Sequence, residues 1–351
     1  PDDTTRKSYF EAVIREWETF KAEGYHNFYG GGYEQLFKNY SQLILNNQES
    51  LWEIAFEPNQ GQTDNSGMWA TYNGPIVDAP GSYSGTSSYM GRANAFFTVL
   101  PYWKSFYESN ADGSQKDVRR DVNFVDYAYV WNATTETQDK SYTASSIAKS
   151  LYRYPGKWRR EWMALGFVDP NHTGVNYCPL RYADVVLMAA EAYNETNNTT
   201  EAWKLLNDVR QRAEATPITS ANYASLMKAP KVYNLDFIDD SDDAGKFRTA
   251  LYWERGFELC YEGQRKYDFL RWGCLGDALR AAQAYIESWY PDANEYINAS
   301  TLQSWDPVSW ASSNYVAGHN FVDGKHELYP IPLAEIQSNA ALNGQNNPGF
   351  E

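Results

Sequence analysis

Residues Glu254 to Gly273 read ERGFELCYEGQRKYDFLRWG. Taken as a helix, Ala250, Trp253, Phe257 and Cys260/Tyr261 recur at three- and four-residue steps and share one face. Glu254, Glu258 and Glu262, four residues apart, form a carboxylate row beside that stripe. Arg255, Arg265, Lys266 and Arg271 stand near enough along the helix to neutralise the row. Gly263 interrupts the helix, where glycine costs about 1 kcal/mol relative to alanine, and implies the close approach of another backbone. Gly273 follows a basic, aromatic last turn and reads as the stop.

Working outward, Leu180 to Asn194 carries a continuous stripe through Leu180, Ala183, Val186/Leu187, Ala190 and Tyr193. Across the polar loop Glu195–Thr199, with Thr200 as the expected N-cap, Ala202, Leu205, Leu206 and Val209 form the partner stripe of an antiparallel hairpin. Asp277 to Trp289 is expected to pack back on the 254–273 helix as another hairpin. Near the start, Thr5–Ala22 and Tyr33–Leu45 are helical, separated by Gly30-Gly31-Gly32, and read as a hairpin of tetratricopeptide length, roughly 34 residues. Ala93–Glu108 also reads as helix, while Trp52–Phe56 and Phe124–Trp131 alternate as strands.

Two stretches have neither period. Pro58–Met90 is dense in Gly, Ser, Asn and Pro, with Trp69, Tyr72, Tyr83 and Tyr89 among them. Trp289–Lys325 carries Tyr290, Trp305, Trp310, Tyr315 and Phe321. Loops of that length in a compact domain are usually functional or disordered, and rings among small polar residues favour function.

The chain has 351 residues, 43% of them hydrophobic, which excludes a disordered polymer; no apolar run nears the roughly 20 residues of a membrane span. A net charge of −15 argues against nucleic acid, whose phosphates need a basic footprint. The 13 Trp and 28 Tyr suit a surface that stacks on flat apolar faces such as those of sugars. Cys178, Cys260 and Cys274 are too scattered for a disulfide framework or a zinc site and read as buried thiols.

Glu254, Glu258 and Glu262 could be taken for a glycosidase pair, since helical neighbours four apart lie roughly 6 Å from each other. A salt-bridge network is favoured instead, because surplus arginine would depress all three carboxyls where catalysis needs two pKa values pushed apart. The acids at Asp236, Asp239, Asp240, Asp242 and Asp243 fail the calcium-loop pattern: counting from Asp240, Gly245 is sixth but Leu251 is twelfth. They read as a loop before a helix N-terminus. His26, His172, His319 and His326 lie apart with no zinc spacing, and no nucleophile motif is present. No catalytic residue, metal site or cofactor is assigned.

E-R-x-x-E-L-x-x-E-G-x-R-x-x-D-x-x-R-W-G resembles the C-terminal signature of SusD/RagB proteins, the surface glycan-binding lipoproteins of Bacteroidetes. Further segments resemble that family in order: the strand at Trp52–Phe56, Asp117-Val-Arg119-Arg120, Lys157–Trp162 (KWRREW), P-L-R-Y-A-D-V-V-L-M-A-A-E-A, L-N-x-V-R-x-R-A, and the closing L-Y-P-I-P-L-A-E-I-Q-x-N with Q-N-N-P-G-F. The last departs from the usual Q-N-P-G by one inserted Asn (Asn346 or Asn347).

The resemblance implies a mostly α, SusD-like fold of tetratricopeptide-type hairpins with irregular loops and a few short strands. It implies a single region over 1–351: a helical hairpin (1–50), a loop-rich ligand face (51–175), helical hairpins (176–290) and an irregular C-terminal cover (291–351). A family member carries a signal peptide, a lipid-attachment cysteine and further N-terminal repeats, so the chain is read as lacking that N-terminal portion and its membrane anchor. The implied function is non-catalytic capture of a glycan at the outer-membrane surface and delivery to a SusC-like TonB-dependent transporter. The alternatives are the peptide-binding subunit of a RagB-like importer and, less favoured, a glycosidase. Because the segment after the corresponding strand helps build the family's ligand face, Trp69, Tyr72, Tyr83 and Tyr89 are the expected stacking rings, with Asn73, Asp78 and Arg92 anchoring hydroxyls.

Overall fold

A computed structural model describes residues 3–46, 48–57, 67–77, 90–94, 99, 101–142, 154–164, 171–224, 239–294, 318 and 320–350, excepting the side chains of 101, 102 and 285–294. The chain divides into two compact units, Pro1–Ala229 with Ile238–Gln264, and Pro230–Phe237 with Arg265–Glu351.

In the first unit α1 spans Asp3–Glu23 and α2 Tyr33–Ser41. These two do not make the expected hairpin. α1 lies instead against α5 (Tyr182–Glu195), where Trp17 and Phe20 each meet the Tyr182 ring at 6.0 Å. Gly32, at φ 88, turns the chain before α2, whose apolar face (Leu36, Phe37, Tyr40) enters a separate core with Trp158, Trp162 and Val175. α2 also stops at Ser41, earlier than its apolar spacing suggests, and Leu43 then turns left-handed at φ 62.

β1 (Ser50–Ile54) pairs antiparallel with β6 (Tyr177–Arg181), with Trp52 opposite Leu180 and Ile54 opposite Tyr177. Leu180 is therefore strand, and the helix begins two residues later. α3 is the short helix Trp69–Asn73. The helix expected over Ala93–Glu108 is absent from its described part: Ala93 bridges Val77, and a 3-10 helix runs from Pro101, which has no N–H to give an α-helical ladder, to Phe106. α4 (Arg119–Asn123) leads into β2 (Phe124–Val125), which pairs with β5 (Tyr154–Pro155). β3 (Tyr127–Asn132) pairs with β4 (Thr137–Tyr142), so the single strand expected over Phe124–Trp131 is two, with different partners. At the hairpin's turn Asn132 Oδ1 accepts from the Thr134 and Thr135 amides at 3.0 and 3.3 Å.

α5 and α6 (Thr199–Arg212) form the expected hairpin, with Val186, Leu187, Ala190, Leu205, Leu206 and Val209 buried. Asn198 caps α6 by accepting from the Glu201 amide at 3.3 Å; Thr200 lies inside the helix. α7 (Asp243–Glu258) packs on both and starts at Asp242, whose Oδ1 accepts from the Gly245 amide at 2.7 Å. A Cβ on Gly245 would lie 1.7 Å from the Asp239 carbonyl oxygen, so only glycine fits this entry.

In the second unit α8 (Arg265–Arg271) turns through Gly273, at φ 69, into α9 (Leu275–Asn294), which packs against it. α10 covers Leu333–Ser338. Asn346 Oδ1 accepts from the Ile331 amide at 2.7 Å and Asn347 Nδ2 donates to the Tyr329 carbonyl at 2.7 Å, so both asparagines of the lengthened closing motif hold the preceding segment.

Candidate functional site

The carboxylate row sits at the centre of a buried ion network, but the helix carrying it ends at Glu258. Tyr261 (φ 62) and Gly263 (φ 84) turn the chain left-handed, so Glu262 lies beyond the helix. Gly263 is required by its φ and not by an approaching backbone; a Cβ there would meet only side chains, the Tyr177 hydroxyl at 3.4 Å and the Trp69 ring at 3.6 Å. Three of the cations expected from the sequence are engaged elsewhere. Arg255 pairs with Asp184 at 2.7 Å, Arg271 with Asp268 at 3.0 Å, and Lys266 lies over the Tyr329 ring.

The actual partners come from the other motif segments. Arg119 Nη1 donates to Glu254 Oε1 at 2.6 Å and to Glu258 Oε2 at 3.1 Å, while its Nη2 holds Asp117 at 2.7 Å. Arg210 bridges Glu254 (2.6 Å) and Glu108. Arg181 joins Glu49 (2.9 Å), Glu258 (2.6 Å) and Glu262 (2.6 Å); Arg212 reaches Glu49 and Glu258, and Lys157 reaches Glu262. Five cations thus face six carboxylates with almost no solvent contact.

The end of α7 is satisfied by two of the same cations and by neighbouring tyrosine, asparagine and tryptophan side chains. The Phe257 carbonyl accepts from Tyr107 and Asn123, the Glu258 carbonyl from Tyr33, Lys157 and Arg181, and the Tyr261 carbonyl from Trp158 Nε1. Cations there also face the negative end of the helix dipole. Burial by itself raises the Glu258 pKa; the charges of Arg212, Arg181, Arg119 and Lys157 overcome it and hold the carboxyl far below its ordinary range. Glu262 is likewise lowered, burial being outweighed by Arg181 and Lys157. A glycosidase acid needs the opposite shift, so these carboxylates are structural.

The acidic loop has its own engagements. Asp242 caps α7, Asp240 accepts from the Tyr223 hydroxyl at 2.5 Å, and Asp239 accepts from the Ser241 amide at 3.0 Å. Asp236 lies outside the described residues.

Of the expected binding residues, α3 brings Trp69, Tyr72 and Asn73 together. Trp69 is partly buried, 4.9 Å from the Tyr177 ring and edge-on to Trp158 at 6.2 Å. Asn73 is buried and donates to the Trp69 carbonyl at 3.0 Å, which makes it a support of the helix. Tyr72, partly buried, donates to Met68 Sδ at 3.2 Å. Arg92 is exposed and donates to Asn94 Oδ1 at 3.0 Å, and the Asn94 amide on the Thr71 carbonyl (2.8 Å) sets that segment beside α3. Tyr83, Tyr89 and Asp78 lie outside the described residues, as do Trp305 and Trp310.

A second aromatic group, on the β3–β4 hairpin, was not singled out from the sequence. Tyr127 and Tyr142 are cross-strand partners whose rings meet edge-on at 5.4 Å, and Tyr142 is 66% exposed. The Tyr127 hydroxyl donates to Glu161 Oε1 at 2.7 Å, Lys140 Nζ lies 2.7 Å from Glu161 Oε2, and the same ammonium stands 4.4 Å above the Tyr127 ring. The Glu161 pKa is lowered: burial raises it, and the bonds from Lys140 and Tyr127 outweigh burial. The alternation Tyr127-x-Tyr129-x-Trp131 marks a strand with an aromatic face, but β4 reads as polar, so no sequence period announces the pairing.

A model of the SusD family matches residues 48–350, and the chain belongs to that family. It is 28% identical over 311 residues to SusD-like protein P2 of Formosa agariphila, covering 86% of this chain and 48% of that relative. SusD-like protein P25 of the same organism is 31% identical over 172 residues, 49% of this chain and 24% of that protein. Among solved structures, a SusD homolog from Bacteroides thetaiotaomicron matches with a TM-score of 0.69 at 24% identity, covering 98% of this chain and 59% of that one. Surface glycan-binding protein A from Bacteroides fluxus matches at 0.57 and 17%, covering 99% and 60%. The fold is accordingly SusD-like and mostly helical. The chain spans about half the length of P2. Among the described residues no helix is long and apolar enough to cross a membrane.

Proposed function

We propose that the protein binds a glycan without hydrolysing it, at the outer-membrane surface, and passes it to a SusC-like TonB-dependent transporter. The observation that carries this reading is the family match over 48–350, within which the candidate acid and base carboxylates are locked to arginines. Its chemistry rests on the rings at Trp69 and Tyr72, with Tyr83 and Tyr89 in the same stretch and Asn73, Asp78 and Arg92 as polar neighbours. A fold neighbour, surface glycan-binding protein A from Bacteroides thetaiotaomicron, has a structure in complex with laminarihexaose; it matches at a TM-score of 0.55 and 17% identity, over 98% of this chain and 61% of that one. A lipid anchor would hold it to the membrane.

The test is a polysaccharide and peptide panel probed with the purified chain, with reducing ends assayed in parallel. Retention on a polysaccharide with no new reducing ends is expected. Released reducing ends would make it a glycosidase, and capture of peptides alone would make it the binding subunit of a peptide importer. Copurification of a TonB-dependent transporter from outer membranes checks the partner.

A further inference from the structure

We propose that Tyr142, with Lys140 on the same strand face and Glu161 held by the neighbouring Tyr127, forms a stacking subsite for a neutral pyranose; the proposal rests on the glycan-binding reading above. Tyr142 is 66% exposed, yet its ring packs in a T-shaped contact with the Tyr127 ring at 5.4 Å. A ring already held in one orientation loses little freedom when a sugar face settles on it. CH–π contact and apolar burial supply the attraction.

Polar groups for hydroxyls stand on the same side of the hairpin. Lys140 and Tyr142 alternate on β4 and share a face with Tyr127 on β3. Glu161 accepts from Tyr127 and pairs with Lys140 at 2.7 Å, so both are oriented before any ligand arrives. The ammonium keeps further donors and the carboxylate further lone pairs for sugar hydroxyls.

Described residues on either side of 78–89 meet the same hairpin. Val77 bridges both Ala93 and Tyr129, and the Met90 amide donates to the Gln138 side chain at 2.7 Å.

Charge selects the class of sugar. Lys140 is engaged by Glu161, whose other oxygen has Arg159 at 3.8 Å, and the protein as a whole carries −15. A sulfated or uronic polymer would meet repulsion from that overall charge, with both cations already engaged by Glu161, whereas a neutral hexose or pentose loses nothing.

The experiment is affinity electrophoresis of the full chain, Tyr142→Ala and Tyr142→Phe, with melting temperatures checked. The gels hold neutral polysaccharides (laminarin, starch, xylan, galactomannan) or acidic ones (alginate, carrageenan, polygalacturonate). The expected result is retention by a neutral polymer, about tenfold weaker in Tyr142→Ala, or about 1.4 kcal/mol, and kept in Tyr142→Phe. Equal retention of parent and Tyr142→Ala would overturn the subsite while leaving glycan binding in place. Retention by acidic polymers alone would overturn the neutral class. Retention by none of them would sink both the subsite and the function on which it rests.

Discussion

Arg181 Nη1 donates to Glu258 Oε1 at 2.6 Å, and its Nη2 donates to the Glu258 carbonyl at 2.9 Å. One guanidinium therefore holds the side chain and the main chain of the residue at which α7 ends. Arg181 is itself the last residue of β6, so the contact fixes where the strand, the helix end and the following turn meet. That turn carries Gly263, against which Trp69 and Tyr177 pack. The charge network and Trp69, one of the proposed binding rings, thus meet at one turn.

Replacing Glu258 with glutamine should destabilise the fold by about 3–5 kcal/mol, because Arg119, Arg181 and Arg212 would share a buried site with one carboxylate fewer. Urea unfolding measures this. A loss below about 1 kcal/mol would mean that water reaches the network. Where the variant remains folded, it should retain glycans like the parent.

Acid should unfold the protein through the same carboxyls. Glu258 and Glu262 have folded-state pKa values below their ordinary ones. Above the unfolded value of about 4.3 they are ionised in both states and their stabilisation is complete. As pH falls from there toward the folded values, the unfolded chain takes up protons first and the stabilisation is lost. Melting temperature should hold steady from about pH 7 to 5 and fall steeply below about pH 4. A flat profile down to about pH 3 would contradict this linkage.

Leu205→Ala should cost about 2–5 kcal/mol, since Leu205 is 4% exposed in the α5–α6 seam. A denaturant midpoint indistinguishable from the parent's would place the seam elsewhere.

Asp242→Ala should cost about 1 kcal/mol through loss of the α7 cap. A chelator should leave the melting temperature of the parent unchanged. If chelation alone reproduces the loss, the acidic loop binds a cation.

Alanine at Trp69, Tyr72, Tyr83 or Tyr89 should weaken glycan retention by about 1–2 kcal/mol wherever the ring stacks on ligand. Trp69→Ala should also lower the melting temperature, because its ring fills space against Tyr177 and Trp158. Were all four to bind like the parent while Trp305→Ala or Trp310→Ala lost retention, the site would belong to the C-terminal stretch.

The α5–α6 hairpin was legible because helical burial repeats every three to four residues, and Val186, Leu187, Leu205 and Val209 carry that period locally. The family segments were legible for the same reason that they are segments: each is a short run of fixed spacing. The sequence by itself also determined that Glu254, Glu258 and Glu262 would be held by arginines. Which arginines was decided only in three dimensions. Arg119 reaches Glu254 across 135 residues, Arg181 reaches Glu258 across 77, and Arg212 reaches Glu49 across 163. Charges near in sequence were assigned as partners because helical spacing is the only distance a sequence prints, yet the helix stops at Glu258 and the later cations no longer share its face. The tertiary structure likewise gave α1 to α5, set Tyr142 against Tyr127 and brought Glu161 to Tyr127 and Lys140, because ion pairs and ring contacts select by distance in space and leave no period along the chain.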